Sequence, residues 1–101
     1  MTAAEWALAR VHAEGLSDEN NIQTDRFSYA RLQPFPRVDT GSDIFPVMLR
    51  STAYTLVTSA TLERDRASVP YHGDVITYRY PMSVLSTQNL VYSNGYASVF
   101  R

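Results

Sequence analysis

The sequence predicts an α+β domain in which an N-terminal helix packs on an antiparallel sheet of about four to five strands and the chain closes on a β-hairpin. Three observations predict it. Thr2-Ala3-Ala4-Glu5 has the form of a capping box ahead of an Ala- and Leu-rich run, residues 75–81 alternate heavy and light side chains, and Asn94-Gly95 sits between two short apolar stretches. A chain of 101 residues makes one domain, 1–101, and buries roughly 65% of its unfolded surface.

The helix comes first. The Thr2 hydroxyl accepts from the Glu5 amide and the Glu5 carboxylate reaches back, so a helix starts at residue 3; Gly15 offers the left-handed stop, giving a helix over about 3–14. Ala4, Ala7, Leu8 and Val11 recur at helical spacing and form one stripe toward a core, with Trp6 beside it as a packing residue. Residues 17–21 are polar turn formers, and Ile22 to Arg26 continue that loop. Residues 26–32 alternate Phe27, Tyr29 and Arg31 against Ser28, Ala30 and Leu32, which suggests a short strand. Pro34, Pro36, Gly41 and Pro46 then exclude a central strand, so 33–46 form an irregular connection suited to gripping a neighbour or lining a site.

Residues 47–65 fit either a helix or a strand by period. Four Thr among the ten residues 52–61 tip the reading to one or two strands, because β-branched side chains are poor helix formers. Pro70 and Gly73 mark 64–74 as a loop. Beyond it, Ile76, Tyr78 and Tyr80 share one face of a strand and Val75, Thr77 and Arg79 the other. In the closing hairpin a type I′ turn centred on Asn94-Gly95 opposes Tyr92 to Ala97 and Leu90 to Val99, placing these four on the core face. Val91, Tyr96 and Phe100 take the other face. The last strand either lies inside the sheet, flanked by its own chain, or is an edge that pairs with another chain; no Lys, Pro or inward charge guards residues 88–100, which leans the reading to the paired edge.

Charge and composition narrow the function classes. A net charge of −1 gives no field toward phosphate backbones or anionic lipid, so neither nucleic acid nor membrane is an expected partner. All nine basic residues are Arg, a residue type suited to packed interfaces. Cysteine is absent, which removes disulfides, thiolate metal sites and Cys nucleophiles. With His12 and His72 the only histidines and four dispersed glycines, neither a metal nor a nucleotide or other cofactor is expected. The N-terminus lacks a secretory pattern, and a cytoplasmic or assembled-virion location is the expectation.

Two stretches hold residue types that do chemistry. Tyr71-His72-Gly73-Asp74 offers a base and a carboxylate on one loop without an identified nucleophile, and reads as a solvated turn. Asp39-Thr40-Gly41-Ser42 resembles the active-site turn of aspartic proteases. In that family two such Asp carboxylates share a proton and activate water, and a chain of this length would supply the pair as a homodimer, as retroviral proteases do. Pro36-Arg37-Val38 stand where the family has apolar strand residues, and no apolar-apolar-Gly triplet follows Gly41.

The expectation is therefore a non-enzymatic structural or assembly protein, homo-oligomeric or part of a larger assembly such as a phage or virus head or tail. Its partner contacts would be Val91, Tyr96, Phe100, Phe35 and Phe45, residue types common where proteins meet. The alternative is a retropepsin-like protease with Asp39 as its catalytic carboxylate.

Overall fold

In the computed structural model of the chain the described residues are 1–25, 43–45, 48–71 and 73–101, with 69–71 and 74 described by backbone alone. The expected strand at 26–32 and most of the 33–46 connection lie outside them. The described elements run α1 (Ala3–Ala13), β1 (Ile22–Thr24), β2 (Tyr54–Thr58), α2 (Ser59–Arg64), β3 (Arg66–Tyr71), β4 (Asp74–Arg79), α3 (Ser83–Ser86), β5 (Leu90–Ser93) and β6 (Ala97–Phe100). The chain is α+β, with an N-terminal helix on a sheet and a C-terminal hairpin. One four-stranded sheet has the order β1-β2-β6-β5, and β3 and β4 form a separate two-stranded sheet.

Local chemistry explains α1. Glu5 donates its backbone N–H to Thr2 Oγ1 at 3.1 Å, and Glu5 Oε1 accepts the Thr2 N–H at 3.2 Å. At the far end the Gly15 and Leu16 amides donate to the carbonyls of His12 and Val11, both at 3.0 Å, with Gly15 at φ +73°. That is a Schellman stop, and it requires the left-handed conformation glycine takes without cost. The buried stripe is Ala3, Ala4, Ala7 and Val11, with Leu8 half-buried beside it.

The sheet is a divider with a core on each face. Against α1 lie Ile22, Tyr54, Leu56 and Val99; on the opposite face Val57 joins Phe45, Ala67, Tyr78, Tyr80 and Leu85. β2 is therefore buried on both sides, and its alternation sends Tyr54 and Leu56 to one core and Val57 to the other. Every second residue of β4 serves the second core: Ile76 and Tyr78 point in and Tyr80 continues the series, while Val75, Thr77 and Arg79 are exposed, as the alternation predicts.

Five sequence expectations are corrected. Ile22 to Thr24 are not loop but a buried strand, and β1 runs parallel to β2, so the sheet is mixed rather than wholly antiparallel. Gln23 makes this burial tolerable: its amide donates to the Arg50 carbonyl at 2.7 Å and Thr55 Oγ1 at 2.8 Å, and its oxygen accepts the Arg50 N–H at 2.7 Å. Thr55 donates onward to Gln88, whose amide donates to the Ala53 carbonyl. The ambiguous segment is strand and then helix, changing at Ser59; α2 ends at Asp65, in the left-handed region at φ 56°. Residues 66–71, read as loop, form β3, which among the described residues carries a ladder on one side only, a place where Pro70 is tolerated.

The remaining two corrections concern the closing hairpin. Tyr92 opposes Val99 and Ser93 opposes Ser98, so the pairing is displaced from the expected one. Gly95, at φ +88°, is the first central residue of the turn Asn94-Gly95-Tyr96-Ala97, as a type II′ turn requires, whereas a I′ turn needs positive φ at Asn94 as well. Moving the turn by one residue moves the register by two, and that preserves which face each side chain takes. Tyr92, Ala97 and Val99 accordingly still meet α1. Finally, β6 is not an edge: it lies between β2 and β5, with its own chain on both sides.

Candidate interaction surface

Among the described residues the open edge of the large sheet is β5. β1, at the opposite edge, is buried along its whole length. Among the described residues β5 has a strand partner on one side only. Three exposed apolar or aromatic side chains gather on β5 and its turn: Leu90 is 59% exposed, Val91 42% and Tyr96 84%. From Thr87 to Phe100 no residue carries a formal charge.

A bulge shapes this edge. Asn89 and Arg101 exchange both backbone hydrogen bonds, at 3.0 and 2.8 Å, while Tyr92 opposes Val99, so β5 spends three steps where β6 spends two. The extra residue falls at Leu90–Val91. It explains why Leu90, expected on the core face, is instead turned to solvent. A bulge and a strand of four residues both discourage another strand from adding regularly to the edge, so the edge is guarded by shape although no charge guards it.

The turn is held firmly. Asn94 Oδ1 accepts from the amides of Tyr96 and Ala97, each at 3.0 Å. Ser59, at the start of α2, donates its backbone N–H to the Tyr96 carbonyl at 2.9 Å and its hydroxyl to the Gly95 carbonyl at 2.8 Å. The backbone around Tyr96 is thus fixed from two sides while its ring stands in solvent. Such an aromatic needs little ordering on contact, which is where Tyr gains its value at interfaces.

Behind the hairpin, an aromatic clasp ties it to α1. Trp6 stacks on Tyr92 with centroids 5.1 Å apart and meets Tyr54 edge-on at 6.2 Å. The Arg10 guanidinium lies 5.7 Å from the Trp6 ring, and that of Arg101 lies 4.3 Å from the Tyr54 ring. Arg101 Nη1 reaches both Glu14 carboxylate oxygens, at 2.7 and 2.6 Å, and Tyr54 donates its hydroxyl to Glu14 at 2.8 Å. The hydrogen bonds from Arg101 and then Tyr54 hold the Glu14 carboxyl below the usual range, and the bond to Glu14 raises Arg101. Tyr92 donates its hydroxyl to the Met1 carbonyl at 2.9 Å, closing the contact between the two ends.

The expected contact residues separate on this geometry. Val91 and Tyr96 are together on the open corner. Phe100 is half-buried against the second core, and Phe45 is 5% exposed within it, its ring edge-on to Tyr80 with centroids 5.0 Å apart. Phe45 is therefore a core residue, not a contact, because the chain around it docks against β4: Arg79 donates its N–H to the Asp43 carbonyl at 2.6 Å and Ile44 pairs with Arg79. Phe35, the Asp39-Thr40-Gly41-Ser42 turn and His72 lie outside the described residues. His12 is on the surface, 2.7 Å from Asp18. Leu90 and Ser59 escape sequence reasoning, the first because a bulge leaves no local signature and the second because its role depends on a contact across 36 residues.

Among the described residues no group of three or more His, Cys, Asp or Glu is placed to hold a metal ion, and no helix is long and apolar enough to cross a membrane. Comparison with protein-family models, with curated proteins and with solved structures finds no match to this chain.

Proposed function

We propose that this chain is a non-enzymatic assembly protein that joins other protein chains through the corner formed by β5 and the β5–β6 turn, with a virion head or tail subunit as the concrete case. One observation carries the reading: Leu90, Val91 and Tyr96 are exposed together on an uncharged open edge whose backbone is anchored at Ser59. Because the bulge discourages strand addition, contact runs mainly through side chains, with Tyr96 as the anchor and Leu90 and Val91 as the apolar surround. An uncharged patch of this kind favours an apolar partner surface over an acidic or basic one.

The test is the mass of the particle in solution, by size-exclusion chromatography with light scattering, for the chain and for Tyr96→Asp and Val91→Asp. Assembly predicts species larger than a dimer that each substitution disperses while the circular dichroism spectrum stays unchanged. A monomer at every concentration would defeat the reading. A dimer that cleaves an unstructured polypeptide, and loses that activity in Asp39→Asn, would replace it with the protease.

A further inference from the structure

The turn that carries Tyr96 also holds a reactive pair. Asn94 is exposed and is followed by Gly95, so the next backbone nitrogen has no side chain beside it. The chain's other asparagines, Asn20, Asn21 and Asn89, are followed by Asn21, Ile22 and Leu90, whose side chains crowd that nitrogen. A Cβ built on Gly95 would meet no atom within 4 Å, so this flank of the turn is open to water.

The hydrogen bonds leave one carbonyl firmly held and two nitrogens loosely held. Asn94 Oδ1 accepts from the amides of Tyr96 and Ala97, each at 3.0 Å. Two backbone donors converging on one carbonyl oxygen draw electrons from its carbon and stabilise negative charge developing on the oxygen, as an oxyanion hole does. By contrast, the Gly95 N–H faces Ser93 Oγ at 3.5 Å and Asn94 Nδ2 faces the Met1 carbonyl at 3.5 Å, both beyond the usual hydrogen-bond range. Nucleophile, electrophile and leaving group therefore sit on adjacent residues, where attack is intramolecular.

We propose that Asn94 is a site of spontaneous deamidation, with the Gly95 nitrogen as nucleophile and water as the co-reactant. The Gly95 N–H gives its proton to hydroxide, and the nitrogen forms a bond to Asn94 Cγ while the carbonyl electron pair moves onto Oδ1, toward the Tyr96 and Ala97 amides. The pair returns, the Cγ–Nδ2 bond breaks, and Nδ2 takes a proton from water and leaves as ammonia, giving a five-membered imide. Water then opens the imide. Addition at Cγ restores the backbone with an aspartate, whereas addition at the Asn94 main-chain carbonyl leaves an isoaspartate, whose backbone is longer by one methylene. The aspartate keeps an acceptor for both amides, and a charged one binds them more strongly. Either product puts a negative charge beside Tyr96, in a stretch from Thr87 to Phe100 that has none. The chemistry stands whatever the corner binds.

The experiment holds the purified wild-type chain at physiological temperature and pH, with circular dichroism confirming that it stays folded. Peptide mass mapping, with fragmentation that separates aspartate from isoaspartate, follows each asparagine over time. Conversion at Asn94 ahead of Asn20, Asn21 and Asn89, with isoaspartate among the products, supports the site. An Asn94 that stays an amide in the folded chain, or that changes no sooner than the other three, overturns it. Aspartate without isoaspartate would mean direct attack by water and would also overturn the role of Gly95. A second measurement uses Gly95→Ala, whose methyl crowds the nitrogen: slower conversion at Asn94 is expected, and an unchanged rate refutes the assignment of the nucleophile.

Discussion

The two hairpins of this molecule differ in a way that runs against their sequence signals. β5–β6 carries Asn-Gly, the strongest short-range hairpin cue, yet its ladder is interrupted by a bulge and its turn sits one residue from the expected place. β3–β4 has no such cue and contains Pro70, yet it pairs six residues against six without a shift, from Arg66 opposite Arg79 to Tyr71 opposite Asp74. The difference teaches that a turn signal locates a reversal while the register answers to what the strands must bury. β4 has one face to satisfy, through Ile76 and Tyr78, and a plain ladder does that. β6 has two, with Val99 turned to α1 and Phe100 to the second core, and β5 must bend to follow it.

The largest expected effect breaks the regular hairpin from inside. Tyr78 is fully buried, and Tyr78→Ala removes a large ring from the second core; a loss of about 3–5 kcal/mol is expected in chemical denaturation. Val75, on the same strand and the outer face, provides the contrast, and Val75→Ser should stay within about 0.5 kcal/mol. Equal costs at the two positions would contradict the one-sided burial of β4.

A smaller effect sharpens the account of the irregular hairpin. Gly95→Ala meets no atom within 4 Å of the added carbon, so its cost is purely that of a side chain at φ +88°, about 1–2 kcal/mol. A substitution at Asn94 tests the turn type. If the turn is II′, Asn94→Gly removes the Oδ1 acceptor for two amides and destabilises; if it were I′, glycine at that position would be tolerated or preferred. Denaturant midpoints of the two variants distinguish the cases.

The smallest effect concerns the clasp behind the hairpin, where Glu14 is only partly buried and solvent screens the pair. Because hydrogen bonds from Arg101 and Tyr54 lower the Glu14 carboxyl in the folded chain, its contribution is full above the unfolded value of about 4.3 and disappears as pH falls through the lowered folded value. Glu14→Gln should therefore lower the melting temperature slightly at neutral pH and coincide with the wild type in strong acid. A difference that persists below the glutamate range would assign the loss to packing, not charge.

Much of the fold was legible because it rests on short-range chemistry. Thr2 and Glu5 form their capping box three residues apart, Gly15 stops α1 next to it, and the inward series Ile76, Tyr78, Tyr80 follows from the two-residue repeat of a strand. The exposed corner was legible in part: alternation puts Val91 and Tyr96 on the outer face, where they are exposed, whereas Leu90, assigned inward, is exposed and Phe45, named as a contact, is buried. β1 was missed because Gln23 looks like loop until Arg50 and Thr55 supply its partners about thirty residues on.

What the sequence determined unaided, then, are the features whose causes lie within a turn or two of the chain: one helix with its ends, a strand with its inner face, a reversal near Asn94-Gly95, and an uncharged terminal stretch. Only the tertiary structure decided that β1 runs parallel beside β2, that the last strand is enclosed while β5 is the open edge among the described residues, and that Phe45 belongs to a core. Those outcomes depend on which distant groups satisfy Gln23, Ser59 and Asp25, and hydrogen bonds spanning some 27 to 36 residues leave no trace in local spacing.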